Sequence, residues 1–125
     1  MDLKSVSGLT LFVRDIDKTA KFYKTLGFKV EKHEKGYLLV RLNWFSMDFV
    51  AESGNAKAEP KCLGICINIS VDDVDEFYKN VLAKGLKPAS EPQDFPGGFR
   101  NFVLNDPDGY NLIMFKRGKP RSPAG

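Results

Sequence analysis

An internal duplication constrains the fold of this chain more than any other feature of its sequence. Val13, Asp15, Asp17 and Gly27 have counterparts 58 positions later, namely Val71, Asp73, Asp75 and Gly85. A Phe-Tyr-Lys triplet also recurs, at an offset of 55 positions, about one helical turn out of step. Two copies are too few for a solenoid. The duplication therefore predicts two similar units that fold into one pseudo-symmetric domain.

Each unit opens with an alternating strand pattern. In the first unit, aliphatic residues alternate with Gly8, Thr10 and Phe12, and in the second they alternate with Cys66, Asn68 and Ser70. Successive side chains of a strand point to opposite faces of a sheet. One face of each strand is therefore aliphatic, and we expect it to pack against the helix that follows.

A helix pattern follows each strand. Apolar residues recur at helical spacing in both units, as Ile16, Ala20 and Tyr23 and as Val74, Phe77, Val81 and Leu82. Asp17 is the expected N-cap of the first helix, and Asp73, three residues before Glu76, is that of the second. Gly27 and Gly85 stand where a helix ends in the left-handed conformation.

Further strand patterns complete both units, and the element order is β-α-β-β-β twice. They cover residues 37–42 and 45–50 in the first unit and residues 100–104 and 110–115 in the second, where an Asp-Pro-Asp-Gly turn at 106–109 separates them. A single domain is predicted, with module one at about 7–50, a linker at 51–63, module two at about 64–116, and a flexible basic tail at 117–125.

Composition excludes several functional classes. The chain has one His and two Cys, so a zinc site would need carboxylates to complete its four ligands. A net charge of +3 is too small for a nucleic-acid-binding surface unless the charges cluster. The sequence shows no signal peptide and no apolar run long enough to span a membrane. We therefore expect a cytoplasmic protein with reduced thiols that binds neither nucleic acid nor membrane.

The duplicated strand–helix units, with Val-x-Asp leading into Phe-Tyr and with the late Asp-Pro-Asp-Gly turn, resemble the vicinal-oxygen-chelate superfamily over residues 7–116. This superfamily includes glyoxalases, bleomycin-resistance proteins, fosfomycin-resistance enzymes and extradiol dioxygenases. The resemblance implies an α+β fold in which two βαβββ modules form a curved mixed sheet around a cleft, with helices on the convex face. It also implies a homodimer, because dimers are common in the superfamily.

Enzymes of the superfamily bind a divalent metal through one ligand from each of four strands. The resemblance assigns these positions to Gly8, Asp48, Cys66 and Met114. Magnesium, manganese and ferrous iron prefer carboxylate or imidazole ligands, and Asp48 alone supplies one. We therefore expect no metal and no cofactor, with Cys66 and Met114 filling volume at the cleft floor.

Strand alternation combined with the resemblance predicts a set of ligand-lining residues. Arg41 either clamps a carboxylate or phosphate of the ligand, pairs with Asp48, or is exposed to solvent. His33 lies in a charged stretch and is expected to be solvated, and no catalytic residue is assigned. The predicted lining comprises Thr10, Phe12, Arg41, Asp48, Cys66, Asn68, Ser70, Asn101 and Met114.

Three functions remain open at this point. The first is a metal-free small-molecule-binding protein of the glyoxalase/bleomycin-resistance type, which holds an apolar or aromatic ligand. Bleomycin is cationic and the chain is mildly basic, so a neutral or anionic ligand is expected. The second is a glyoxalase-like lyase or isomerase, or a dioxygenase, with an atypical metal site. The third is a non-catalytic assembly domain whose strand edges are covered by a partner.

Overall fold

Each half of the chain forms one strand, one helix and three further strands, as the sequence predicts. The computed structural model describes residues 1–54 and 64–117, and it divides into two compact units, Met1–Pro60 and Lys61–Gly125. The greater part of the expected linker and the expected tail, 55–63 and 118–125, lie outside the described residues. The elements in chain order are β1 (Gly8–Val13), α1 (Ile16–Leu26), β2 (Lys29–Glu34), β3 (Tyr37–Leu42), β4 (Phe45–Ala51), β5 (Cys66–Ser70), α2 (Val74–Ala83), β6 (Gln93–Phe95), β7 (Phe99–Asn105) and β8 (Asn111–Arg117).

Module one is a four-stranded mixed sheet with the order β1-β4-β3-β2, in which β1 and β4 are parallel and the other neighbours are antiparallel. Helix α1 packs against β2, β3 and β4. Tyr23 of α1 is fully buried, with its ring centroid 4.7 Å from that of Phe49 and 5.3 Å from that of Phe28. This aromatic cluster forms the centre of the module's core.

Module two repeats the arrangement with the order β5-β8-β7-β6, and its parallel pair is β5 and β8. Helix α2 packs against β7 and β8. Phe102 is fully buried, and its ring centroid lies 5.2 Å from that of Tyr78. Leu104, Leu112 and Met114 complete the buried apolar layer of the sheet.

The helix ends show why α1 and α2 begin and end where they do. Asp15, and not the expected Asp17, is the N-cap of α1, because its extended backbone lets the carboxylate accept the amide of Lys18 at 3.0 Å. Asp73 caps α2 as expected, accepting the amide of Glu76 at 3.0 Å. Gly27 adopts the left-handed conformation, with φ of 114°, at the end of α1.

The expected apolar stripe of α2 is only partly buried. Val74 and Val81 are buried, and Phe77 is half-buried. Leu82, by contrast, is 46% exposed, so its assignment to the buried stripe is wrong. Only two residues of α2 are buried, whereas six residues of α1 are, so α2 covers less of its sheet.

The Asp-Pro-Asp-Gly segment forms the turn between β7 and β8. One carboxylate oxygen of Asp106 accepts the amides of Asp108 at 2.9 Å and of Tyr110 at 3.0 Å. Gly109 has a φ of 94°, which a side chain would strain. The turn thereby sets the antiparallel register of β7 and β8, which starts from the pair Asn105 and Asn111. In the part of the chain that the structure describes, neither helix has the length and apolar character needed to cross a lipid bilayer.

Candidate ligand-binding site

The sheet of each module has a second face, opposite its buried apolar residues, which we call the open face. Eight of the nine predicted lining residues lie on an open face by strand register, although their role in binding remains a prediction. On module one the open face carries Thr10, Phe12, Tyr37, Leu39, Arg41, Ser46, Asp48 and Val50, together with Lys29, Lys32 and Glu34 of β2. On module two it carries Cys66, Asn68, Ser70, Phe99, Asn101, Val103, Ile113 and Phe115.

Met114 is the ninth predicted residue, and its assignment to the ligand-lining face is wrong. It pairs with Ile69 of β5 and Phe102 of β7, and its side chain is fully buried in the core. Because side chains alternate along β8, the neighbouring Ile113 and Phe115 take the open-face positions. An error of one residue in the position along β8 therefore exchanges a core residue for a lining residue.

Asp48 lies at the centre of a hydrogen-bonded cluster on the open face of module one. The register places Thr10 directly beside it on β1 and Leu39 beside it on β3. The Thr10 hydroxyl donates to Oδ1 of Asp48, and the Tyr37 hydroxyl donates to Oδ2 at 2.9 Å. This hydrogen bond to a carboxylate raises the pKa of the Tyr37 phenol. The two donors fix the orientation of the carboxylate.

Arg41 is held by a different partner from the one considered in the sequence. Its Nε donates to the carboxylate of Glu31 on β2, and its Nη1 donates to the carbonyl oxygen of Trp44 at 3.2 Å. The expected alternative of a pair with Asp48 is therefore wrong. The hydrogen bond from Arg41 also lowers the pKa of Glu31. An anionic ligand would have to compete with Glu31 for this guanidinium.

A cavity of about 330 Å³ opens on the open face of module two. Two predicted residues, Asn68 and Asn101, contribute amide groups to it. The apolar residues of its wall are absent from the predicted lining, although the alternation continued from Asn101 along β7 and β8 indicates them. All the lining residues are uncharged: Asn68, Phe99, Asn101, Ile113 and Phe115.

Two carboxylates bind the guanidinium of Arg100 on module two, away from its open face. The guanidinium donates two hydrogen bonds to Asp75, from Nε at 2.9 Å and from Nη2 at 2.7 Å. A third hydrogen bond, from Nη1, reaches Asp94 on β6 at 3.1 Å. The guanidinium lowers the pKa of Asp75. The cluster thus joins the first turn of α2 to strands β6 and β7.

His33 lies within β2 and contacts the first turn of α1. Its Nε2 is 2.8 Å from Oδ1 of Asp17, and its side chain is 41% exposed. Asp17, which was expected to cap the helix, therefore forms a surface contact with His33 instead.

The four positions that the resemblance assigns to a metal do not fit one. Gly8 has no side-chain donor, and a Cβ there would collide with the carbonyl oxygen of Ser46. Met114 is buried on the opposite face of its sheet, and the open-face position beside it is the aliphatic Ile113. Among residues 1–54 and 64–117, no group of three or more His, Cys, Asp or Glu side chains could hold a metal ion.

Comparisons with known proteins agree with the fold. The model of the Glyoxalase/Bleomycin resistance protein/Dioxygenase superfamily matches residues 5–114. A bleomycin resistance protein from Klebsiella pneumoniae is 29% identical over 110 residues, which cover 82% of this chain and 85% of the relative. The solved structure of a bleomycin-binding protein complexed with bleomycin is 25% identical, covers 90% of this chain and 98% of its own, and superposes with a TM-score of 0.70.

A second curated relative is longer than this chain. A probable chloroplastic lactoylglutathione lyase from Arabidopsis thaliana is 33% identical over 123 residues, which cover 89% of this chain. The chain spans 35% of the length of that relative.

Proposed function

We propose that this chain, which belongs to the Glyoxalase/Bleomycin resistance protein/Dioxygenase superfamily, is a metal-free small-molecule-binding protein whose ligand is apolar or aromatic. The cavity on the open face of module two carries this proposal. Its volume of about 330 Å³ falls within the range of small-molecule pockets, about 300–1,000 Å³. Its wall combines two phenylalanines with an isoleucine, and two amides stand among them. Such a composition suits a flat apolar ligand with a few hydrogen-bonding groups.

The chemistry of the cavity favours a neutral ligand over an anionic one. All five residues that line the cavity are uncharged, so a charged ligand would lose hydration there without an ionic partner. Each amide of Asn68 and Asn101 offers both donors and an acceptor. Phe99 and Phe115, with ring centroids 6.2 Å apart, offer aromatic surface for stacking.

A thermal-shift screen followed by calorimetry tests this proposal. Neutral aromatic fragments such as indole and naphthol, together with metal-free bleomycin and aromatic acids, are added to the full chain. We expect the neutral aromatic fragments to raise the melting temperature, since a ligand that binds only the folded state stabilises it. Phe115→Ala should weaken their binding about tenfold or more, because it removes most of one aromatic wall.

The matched control is Leu82→Ala, which also shortens an apolar side chain of module two but lies on the exposed side of α2. It should leave binding unchanged. A second variant, Asn101→Leu, keeps the size of the side chain and removes the amide, so it should weaken fragments with hydrogen-bonding groups only. The proposal is wrong if no compound of any class raises the melting temperature, or if Phe115→Ala and Leu82→Ala bind equally well.

The metal content of the purified protein distinguishes this proposal from the alternative, an enzyme with an atypical metal. The positions assigned to the metal do not form a suitable donor set, so we expect far less than one metal ion per chain after purification without chelator. Elemental analysis by mass spectrometry measures this. Stoichiometric iron, nickel, zinc or manganese that disappears in Asp48→Ala would favour the enzyme.

A homodimer, by analogy with the superfamily, and a cytoplasmic location, from the pattern of the sequence, complete the proposal. Light scattering coupled to size-exclusion chromatography gives the mass directly, and a mass near 14.0 kDa would contradict the dimer. Fluorescence microscopy of the tagged full-length protein tests the compartment.

A further inference from the structure

Asp48 is a carboxylate on the open face of module one whose contacts, among the residues that the structure describes, are with hydroxyl groups and not with a cation. The described ion pairs join His33 to Asp17, Arg41 to Glu31, and Arg100 to both Asp75 and Asp94. Within residues 1–54 and 64–117, Asp48 forms no ion pair, and its contacts are with two hydroxyl groups. Arg41, on the same face, is bound by Glu31. Lys29 and Lys32 of β2 also lie on this face by register, beside Arg41 and Leu39, and neither forms one of the described ion pairs.

The Asp48 carboxylate is oriented by two hydroxyl groups and can accept further hydrogen bonds. The Thr10 hydroxyl occupies one position on Oδ1, and the Tyr37 hydroxyl occupies one on Oδ2. A carboxylate offers about four acceptor positions, so two remain for an incoming donor. Asp48 is also half-buried, which strengthens its attraction to a cation relative to that of a fully hydrated carboxylate.

One aromatic side chain contacts this carboxylate and a second lies on the same face. Tyr37 bonds Asp48 through its hydroxyl. Val50 is two residues from Asp48 on this face, and it pairs with Phe12 on one side and with Tyr37 on the other. Aromatic rings attract organic cations through their π-electrons and also bury the apolar substituents of the ligand.

We propose that the Asp48 cluster is a binding subsite for an organic cation, namely the protonated amine of a ligand that carries an apolar or aromatic substituent. The ammonium group donates to the two remaining positions of the carboxylate, and the substituent packs against Phe12, Tyr37 and Val50. A bound Ca²⁺ or Mg²⁺ fits poorly, because these ions need about six or more oxygen ligands in a compact arrangement. The subsite goes beyond the proposed function, which concerns an uncharged cavity on module two.

Nuclear magnetic resonance titration of the full chain tests this subsite with three probes of nearly equal shape. The probes are 2-phenylethylammonium, the neutral 2-phenylethanol and the anionic phenylacetate. We expect the ammonium to shift the backbone amide signals of Thr10, Asp48 and Val50 in a saturable way. The neutral probe should shift them far less, and phenylacetate should leave them unchanged.

Two variants separate the charge of Asp48 from the shape of the site. Asp48→Asn keeps the size of the side chain and an acceptor for a hydroxyl group, and it should weaken binding of the ammonium about fivefold or more, as expected for loss of an ion pair with its hydrogen bonds. Asp17→Asn removes a carboxylate of the same module that lies on α1 and contacts His33, outside the subsite. It should change the affinity by less than about twofold.

The inference fails if the ammonium and 2-phenylethanol shift the same amide signals with equal affinity, a comparison that needs no variant. It also fails if Asp48→Asn binds the ammonium as well as the parent chain does. Shifts confined to Asn68, Asn101 and Ile113 would assign the ammonium to the cavity on module two and would equally overturn it. The neutral fragments test that cavity separately, so the two proposals can fail independently.

Discussion

The two modules have the same order of strands and helix, yet both faces of their sheets differ. In module one, α1 buries six residues and the open face centres on a carboxylate. In module two, α2 buries two residues and the open face forms an uncharged cavity. One pair of equivalent positions shows the difference between the open faces. Thr10 pairs with Asp48 in module one, and at the same place in module two Asn68 pairs with Ile113. Duplication has thus preserved the backbone while the side chains of the two open faces diverged.

The largest expected effect is on stability and concerns the packing of each helix against its sheet. Tyr23→Ala should lower the free energy of unfolding by about 3–5 kcal/mol, because Tyr23 is fully buried among aromatic rings. Tyr78→Ala, in the recurring Phe-Tyr-Lys triplet of module two, should cost about 1–2 kcal/mol, because Tyr78 is only half-buried. Urea unfolding followed by circular dichroism measures both. Equal losses would show that α2 supports its module as strongly as α1 does.

The next effect concerns the first residue of each module's first strand. Gly8 and Cys66 are separated by the 58-residue offset of the duplication, but only Gly8 lies so close to its neighbour that a Cβ would collide with Ser46. Gly8→Ala should destabilise the protein by about 1–3 kcal/mol, since β1 and β4 must move apart. Cys66→Ala, the matched control at an exposed position, should change stability by less than about 0.5 kcal/mol.

A stable Gly8→Ala variant would mean that the close approach of β1 to β4 is not required. The same urea measurement decides this, and the amide signals of Ser46 and Ser7 report whether the strands have separated, because the Ser46 amide donates to the carbonyl oxygen of Ser7 at 3.3 Å.

A smaller effect should be the same in both modules. Asp15 and Asp73 cap their helices with the same geometry, each accepting the backbone amide three residues later at 3.0 Å. Asp15→Ala and Asp73→Ala should therefore each cost about 1 kcal/mol of unfolding free energy. Asp17→Ala is the control, because Asp17 follows the cap and contacts His33 instead. A loss with Asp17→Ala as large as that with Asp15→Ala would contradict the assignment of the cap.

Much of the fold could be predicted because its signals are local. Strand alternation, the Asp73 cap, the helix-ending Gly27 and the turn at 106–109 each depend on a few neighbouring residues, and the structure confirms them. The predicted cap of α1, Asp17, lies two residues after the observed one because Asp15 and Asp17 are equally good caps by residue type. Only the position at which the backbone turns from strand to helix distinguishes them.

The candidate sites were harder to predict because they depend on the register between distant strands. The face of Met114 is decided by its pairing with Ile69, which is 45 positions away in the sequence (114 minus 69). The contact of Tyr37 with Asp48 likewise depends on how β3 and β4 align. Alternation correctly places Tyr37 and Arg41 on one face, but it cannot show which of the two reaches Asp48. Side-chain length and the neighbouring Glu31 decide that.

The smallest effect, a shift in the titration of one phenol, tests the carboxylate that distinguishes module one. The hydrogen bond to Asp48 raises the pKa of Tyr37 above the ordinary tyrosine value of about 10. Because folding favours the neutral phenol, this contact contributes stability that is fully present below pH 10 or so and is lost as the pH rises through the raised pKa. Absorbance at 295 nm, taken as the difference between the parent chain and Tyr37→Phe, isolates this group from the other three tyrosines.

In Asp48→Asn the same difference titration should show a lower pKa for Tyr37, because the neutral amide no longer disfavours the phenolate. Module two provides the reference, since Asn101 occupies the position of Tyr37 on its open face and Ile113 that of Asp48, and neither can produce such a titration. An unchanged pKa in Asp48→Asn would mean that Tyr37 is not bonded to the carboxylate. The open face of module one would then lack the pre-oriented charge that sets it apart from its copy.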